Sequence, residues 1–257
     1  MKKCFISVIA VGLLYIGFQL AGCDKKDDGF TSDAVADYMQ LQKGKYILYR
    51  LDSLRFTDYG QSAITISYQA KDVVEDSVTD NMGRGGWRVV RYLRGLNSTD
   101  ERDWSPLMTY QVIPSFNSIE LSENNFRYIK LTTPIRDGRS WKGNGYLPDN
   151  PYQVLFEFSN DEDIQDWDYT YQDVGTSLTL ENKTYDNTIS VLQIADSANT
   201  PIVDARVPAS KSYWVEKYAK GVGLVYKEVE MWEYQPPTSQ SGYRHGYGLK
   251  LTIIDHN

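Results

Sequence analysis

The sequence predicts an all-β, mainly antiparallel domain: one curved sheet, closing into a half-barrel or a full barrel, with a single short N-terminal helix. Three observations carry this. Apolar residues recur at every second position through most of the chain, the connections between such runs are short, and only one run has helical spacing. Alternation is plainest where Ile64, Ile66, Tyr68 and Ala70 interleave with Thr65, Ser67, Gln69 and Lys71. It returns where Tyr243, Tyr247, Leu249, Leu251 and Ile253 interleave with Arg244, Gly246, Gly248, Lys250 and Thr252. A period of two places one set of side chains on each face of a strand, so these are half-buried strands.

Taken in order, the helical run is Ser32 to Gln42, with Thr31 or Ser32 as the N-cap before Ala34, Val35, Tyr38, Met39 and Leu41. Further strands are predicted at Lys45 to Arg50, Trp87 to Arg94, Leu107 to Ile113, Phe126 to Thr132, Thr188 to Ile194, Ser212 to Tyr218 and Leu224 to Tyr234. Tyrosine, tryptophan, valine and isoleucine dominate these runs, as pleated surfaces favour. Glu123-Asn124-Asn125 and Gly221-Val222-Gly223 punctuate pairs of runs as hairpin turns, which makes their partners antiparallel. With 257 residues, no Gly/Ser linker and no internal repeat, the chain divides into a leader at 1–22, a tether and helix start at 23–37, and one β-rich domain at 38–257.

The leader opens with Met1-Lys2-Lys3 and continues as an apolar stretch too short to span a bilayer comfortably, the pattern of a secretory signal. It ends in Leu20-Ala21-Gly22-Cys23, which resembles the lipobox of bacterial lipoproteins position for position. That resemblance implies cleavage before Cys23 and diacylglyceration of its thiol. Cys4, the other cysteine, leaves with the leader, so the mature domain has no disulfide. Two or three acyl chains, at about 0.8 kcal/mol per buried methylene, form a durable membrane anchor.

Asp24-Lys25-Lys26-Asp27-Asp28-Gly29 contains no residue that can pack and reads as a solvated tether. Lys26, Asp27 and Asp28 resemble the surface-export signal of Bacteroidota lipoproteins, which implies an outer-membrane protein facing the exterior. Asp24, directly after the cysteine, resembles instead an enterobacterial inner-membrane retention signal, so the periplasmic face of either membrane is the alternative.

Charge narrows the partners. The formal net charge of −7 becomes −9 once Lys2 and Lys3 leave with the leader, and no basic run offsets it. Such a surface repels phosphate backbones, so nucleic acid is not an expected partner. Beyond the membrane reached through the lipid, the expected partners are a protein, a glycan or an apolar ligand.

Three longer motifs add a family resemblance. Tyr38 to Ser53, with Pro134 to Trp141 and Tyr218 to Val225, resembles the opening, middle and late motifs of uncharacterised secreted lipoproteins of Bacteroidota. The resemblance implies an antiparallel β fold and an envelope location, without a chemistry. The residues explain the motifs as folding devices, with glycines at turns and Trp141 and Tyr218 as buried faces.

No catalytic group, metal site or cofactor is expected. His245 and His256, the two histidines, are separated by an odd number of strand positions and face opposite ways. There is no phosphate loop, nucleophile elbow or zinc-protease motif. Asp161 to Asp168 is dense in carboxylates but lacks the turn glycine and terminal glutamate of a calcium loop, and reads as a solvated hairpin tip. The long Gly/Pro segment from Pro134 to Tyr152 is the candidate ligand loop, offering Trp141, Tyr146 and Tyr152 to a sugar ring or an apolar mouth. Ser53, Ser77 and Ser197, each after an aspartate, resemble O-glycosylation acceptors of Bacteroidota envelope proteins. The expected function is therefore that of a lipid-anchored envelope protein with a non-catalytic binding or structural β domain. Carriage of an apolar ligand and carboxylate-dependent glycan hydrolysis are the alternatives.

Overall fold

The computed structural model describes residues 29–156, 159–238 and 241–257. The leader, Cys23 and the export motif Lys26, Asp27 and Asp28 lie outside the described residues. Twelve strands follow one another: β1 (Tyr46–Thr57), β2 (Ser62–Thr79), β3 (Gly85–Gly95), β4 (Ser105–Pro114), β5 (Ser118–Glu123) and β6 (Phe126–Thr132), then β7 (Ser140–Lys142), β8 (Asp168–Leu180), β9 (Lys183–Ala198), β10 (Ala209–Ala219), β11 (Gly223–Gln235) and β12 (Tyr243–His256). All pair antiparallel in one sheet of order β6-β5-β4-β3-β2-β1-β12-β11-β10-β9-β8-β7.

That order is an up-and-down meander whose ring passes through the β1–β12 pair and is interrupted between β6 and β7. The two edges nevertheless meet. The Ile129 amide donates to the Gly143 carbonyl at 2.8 Å, and the Trp141 indole donates to the Ile129 carbonyl at 2.8 Å. The Tyr171 hydroxyl accepts from the Thr132 amide at 2.9 Å and donates to the Thr132 carbonyl at 2.8 Å. Side chains and a backbone bond thus stand in for a ladder, giving a nearly closed barrel.

Turn chemistry matches the sequence at the β5–β6 hairpin. Asn124 and Asn125 both take left-handed backbone angles, as a tight two-residue hairpin turn demands. The predicted helix is different: a four-residue 3-10 turn, Val35–Tyr38, whose N-cap residue Ala34 makes no side-chain capping bond. Three residues per turn place Val35 and Tyr38 on one face, both 1% exposed, after which Met39 is already extended. Asp33 does not cap the turn but accepts from the Tyr38 hydroxyl and the Lys220 ammonium, which ties the segment to the end of β10.

The barrel is filled from within. Val35, Tyr38, Val74, Val112, Tyr169 and Tyr218 belong to one buried cluster that joins the two halves of the ring. The segment between β7 and β8 packs into the far end, with Leu147, Tyr152, Ile164 and Trp167 against Tyr128, Trp214 and Met231. The stretch Asp161 to Asp168 is therefore anchored in a plug and is not a hairpin tip, while Glu162, Asp163, Asp166 and Asp168 stay solvent-exposed. Asp161 is fully buried and accepts from the Tyr152 amide at 3.0 Å, and Ile164 is fully buried. The physical reason is that Ile164 and Trp167 are interleaved with the acids and take the backbone inward with them.

Candidate functional site

Between the N-terminal turn and the plug the lumen keeps a cavity of about 100 Å³. The half-buried Gln40, Lys45 and Tyr46 stand at its mouth next to the N-terminal turn, and Ile47, Val74, Val89, Val112 and Leu224 give it an apolar lining. The charged side chains of Asp72, Arg91, Glu123, Lys130, Glu216 and Lys227 share the rest of the wall with tyrosines and further apolar residues.

On one side Asp72 of β2 stands opposite Arg91 of β3. The guanidinium grips the carboxylate with two bonds of 2.6 Å each, and Tyr110 of β4 donates to the same carboxylate at 2.9 Å. This fork satisfies both charges, the condition under which a buried ion pair is tolerated.

On the other side Glu216 of β10 stands opposite Lys227 of β11, 3.3 Å away, and receives Lys130 of β6 at 2.8 Å from beyond the seam. Tyr218 donates to its second oxygen at 2.7 Å. Glu216 and Lys130 are almost wholly enclosed, with side chains 2% and 5% exposed. Burial pushes the Glu216 carboxyl up, but Lys130 and Lys227 outweigh it and hold the pKa at about 2. Burial draws the Lys130 ammonium below the ordinary lysine range, opposed by Glu216 and reinforced by Lys227.

The residues singled out in the sequence fall elsewhere. Trp141 lies on β7 with its ring 4.6 Å from Tyr171 and 5.8 Å from Tyr169, as part of the barrel wall. Tyr152 is in the plug, edge-on to Phe126 and Tyr247. Tyr146 is 55% exposed beneath the Arg127 guanidinium, 4.2 Å from ring centre to carbon. The three therefore do not form one aromatic surface. Ser53, Ser77 and Ser197 sit on β1, β2 and β9, with Ser77 and Ser197 exposed and Ser53 half-buried. His245 lies 3.7 Å from Glu233, and among the described residues no three metal-ligating side chains converge.

Lys130, Glu216 and Lys227 were not legible as a site, because a charged residue in a strand is ordinarily read as the solvent face. The available signal is local: Glu216 stands between Trp214 and Tyr218 at alternate positions, and Lys130 follows Tyr128 in the same phase. A charge framed by large aromatics at that spacing belongs to the aromatic face.

Neither a protein-family model nor a curated protein matches the chain. A solved domain from Vibrio parahaemolyticus, described as an outer membrane lipoprotein-sorting protein, aligns over 83% of this chain and 85% of its own, at 10% identity and a TM-score of 0.20. Overlap that slight lends nothing to the reading of either fold or function, which rests on the barrel and its lumen.

Proposed function

We propose that this chain is a lipid-anchored protein of the cell envelope whose barrel is a non-catalytic binding domain for a small amphipathic ligand. Cys23 carries the lipid, and Lys26, Asp27 and Asp28 direct display on the outer face of the outer membrane. The observation that supports ligand binding is the lumen itself: a cavity of about 100 Å³ with an apolar middle, a mouth at Lys45 and Tyr46, and charged groups at its depth. Two of the three acids that line it, Asp72 and Glu216, are engaged by fixed partners, which favours binding over hydrolysis. Asp72 is committed to Arg91 and Tyr110, and Glu216 to two lysines and Tyr218, so neither stands as a free acid or base.

The test is native mass spectrometry of the full chain carrying Cys23→Ala, purified from the soluble envelope fraction of its own cells. A bound small molecule at one per chain is expected, and a bare chain in every preparation would sink the binding reading. Display is tested separately by protease treatment of whole cells. Replacing Lys26, Asp27 and Asp28 with alanine should protect the protein from digestion, and equal digestion of mutant and wild type overturns the export reading.

A further inference from the structure

We infer that the lumen takes an anionic amphiphile, a carboxylate or phosphate monoester on a short apolar tail, with its head held between Lys130 and Lys227. The inference deepens the binding function proposed above and rests on it.

Four cations, Lys45, Arg91, Lys130 and Lys227, line the cavity against three acids, Asp72, Glu123 and Glu216. Lys130 and Lys227 both reach Glu216, at 2.8 and 3.3 Å, and both approach the same oxygen. The other oxygen of Glu216 is taken by the Tyr218 hydroxyl. Asp72 is held by Arg91 in a two-bond fork, so it is not available to the lysines. Glu123 also lines the cavity and favours the charged form of Lys130, but less strongly than Glu216 does. Lys45 at the mouth adds a further cation to the wall. Two ammonium groups that share one oxygen of Glu216 are each only partly compensated by it, and the cavity lining as a whole carries one cation more than it has acids.

Trp214 packs beside the two lysines without itself lining the cavity. The Trp214 ring lies 5.9 Å from the Lys130 ammonium and 5.4 Å from that of Lys227. Its indole N–H is buried and has no acceptor. The two ammonium groups, with three donors each, converge on one oxygen of Glu216 and keep donors for a further acceptor. An oxyanion supplies both the charge and the acceptor atoms.

The remainder of the ligand follows from the wall above the lysines. Ile47, Val74, Val89, Val112 and Leu224 lie along the way to the mouth, and these take an apolar tail behind an inward-facing head. The small volume fits a short chain and not a diacyl lipid.

Calorimetry on the full chain carrying Cys23→Ala, with octanoate, octyl phosphate, octanol and inorganic phosphate as probes, decides the matter. Octanoate and octyl phosphate are expected to bind at one per chain, with octanol and inorganic phosphate each weaker by about tenfold or more. Lys227→Met should bring octanoate down to the level of octanol while leaving octanol unchanged, and Lys227→Arg should retain the preference. Should Lys227→Met fail to fold, Lys227→Gln takes its place, with a loss confined to the anionic probes. Equal affinity for octanoate and octanol overturns the anionic head and leaves the binding domain standing. Inorganic phosphate binding as tightly as octyl phosphate overturns the amphiphile in favour of a free anion. No binding by any probe overturns this inference, while the copurification experiment judges the broader reading independently.

Discussion

The Trp141 indole donates to the carbonyl of Ile129 at 2.8 Å, across the gap where the two edge strands of the barrel face one another. The same ring packs on Tyr169 and Tyr171, so one residue both covers the core and bonds across the seam. Trp141→Ala should cost about 3–5 kcal/mol in chemical denaturation. Trp141→Phe, which keeps a ring and removes the donor, should cost about 1–2 kcal/mol, with faster amide exchange concentrated in β6 and β7. Uniform loss of protection around the barrel would show that the seam has no separate stability.

Gly143 is the second element of that closure. Its carbonyl accepts from Ile129, and a methyl group on its α-carbon would stand 2.3 Å from the ring of Tyr169, which is fully buried and cannot step aside. Gly143→Ala should therefore destabilise by about 1–3 kcal/mol through overpacking. An unchanged melting curve would mean that the β7 segment detaches from the wall at little cost.

The lysine pair makes acid stability depend on Glu216. Its folded pKa of about 2 lies below the ordinary value of 4.5, so its contribution is fully present above pH 4.5 and is lost as the pH falls toward 2. The difference corresponds to something on the order of 3 kcal/mol. Carbon-13 NMR of the Glu216 carboxyl should show its titration displaced into that acid range, and a midpoint at or above 4.5 refutes the ion-pair account.

Tyr146 and Tyr152 stand only six residues apart yet should respond oppositely to truncation. Tyr152→Ala removes a ring from the plug and should cost about 3–5 kcal/mol. Tyr146→Ala removes an exposed ring whose partner is Arg127, worth about 0.5–1 kcal/mol. Similar melting temperatures for the two variants would contradict the placement of Tyr152 in the core.

Much of this architecture could be read from the residues alone, and the reasons for the exceptions are specific. Period-two runs such as Ile64 to Lys71 have one dry face and one wet face, so alternation reports them directly. Asn124 and Asn125 are read correctly because left-handed backbone angles are cheap for asparagine. β8 escapes because Asp173 falls in phase with Tyr169 and Tyr171 and breaks the alternation, and β7 because three residues are too few to show a period. The lumen charges escape for a different reason. Asp72 with Arg91 and Glu216 with Lys227 are cross-strand neighbours, and register is set by bulges and turns that no single strand displays. Lys130 meets Glu216 from 86 positions away, a contact that exists only once the ring has curved round.

The ring's continuity through β1 and β12 has a consequence for how the protein is made. Every other ladder joins strands adjacent in sequence, whereas Tyr46 and Asn257 are bonded across a separation of 211 residues. A chain emerging with its N-terminus first can zip β1 through β6 as successive hairpins, but the outer edge of β1 has no partner until β12 arrives. Until then the nascent half-sheet exposes a long strand edge, the template for pairing between chains. Closure by so distant a contact also makes folding slow relative to a local meander. Holdase chaperones that cover the β1 edge should therefore matter more to the yield of this protein than any that act on its finished surface.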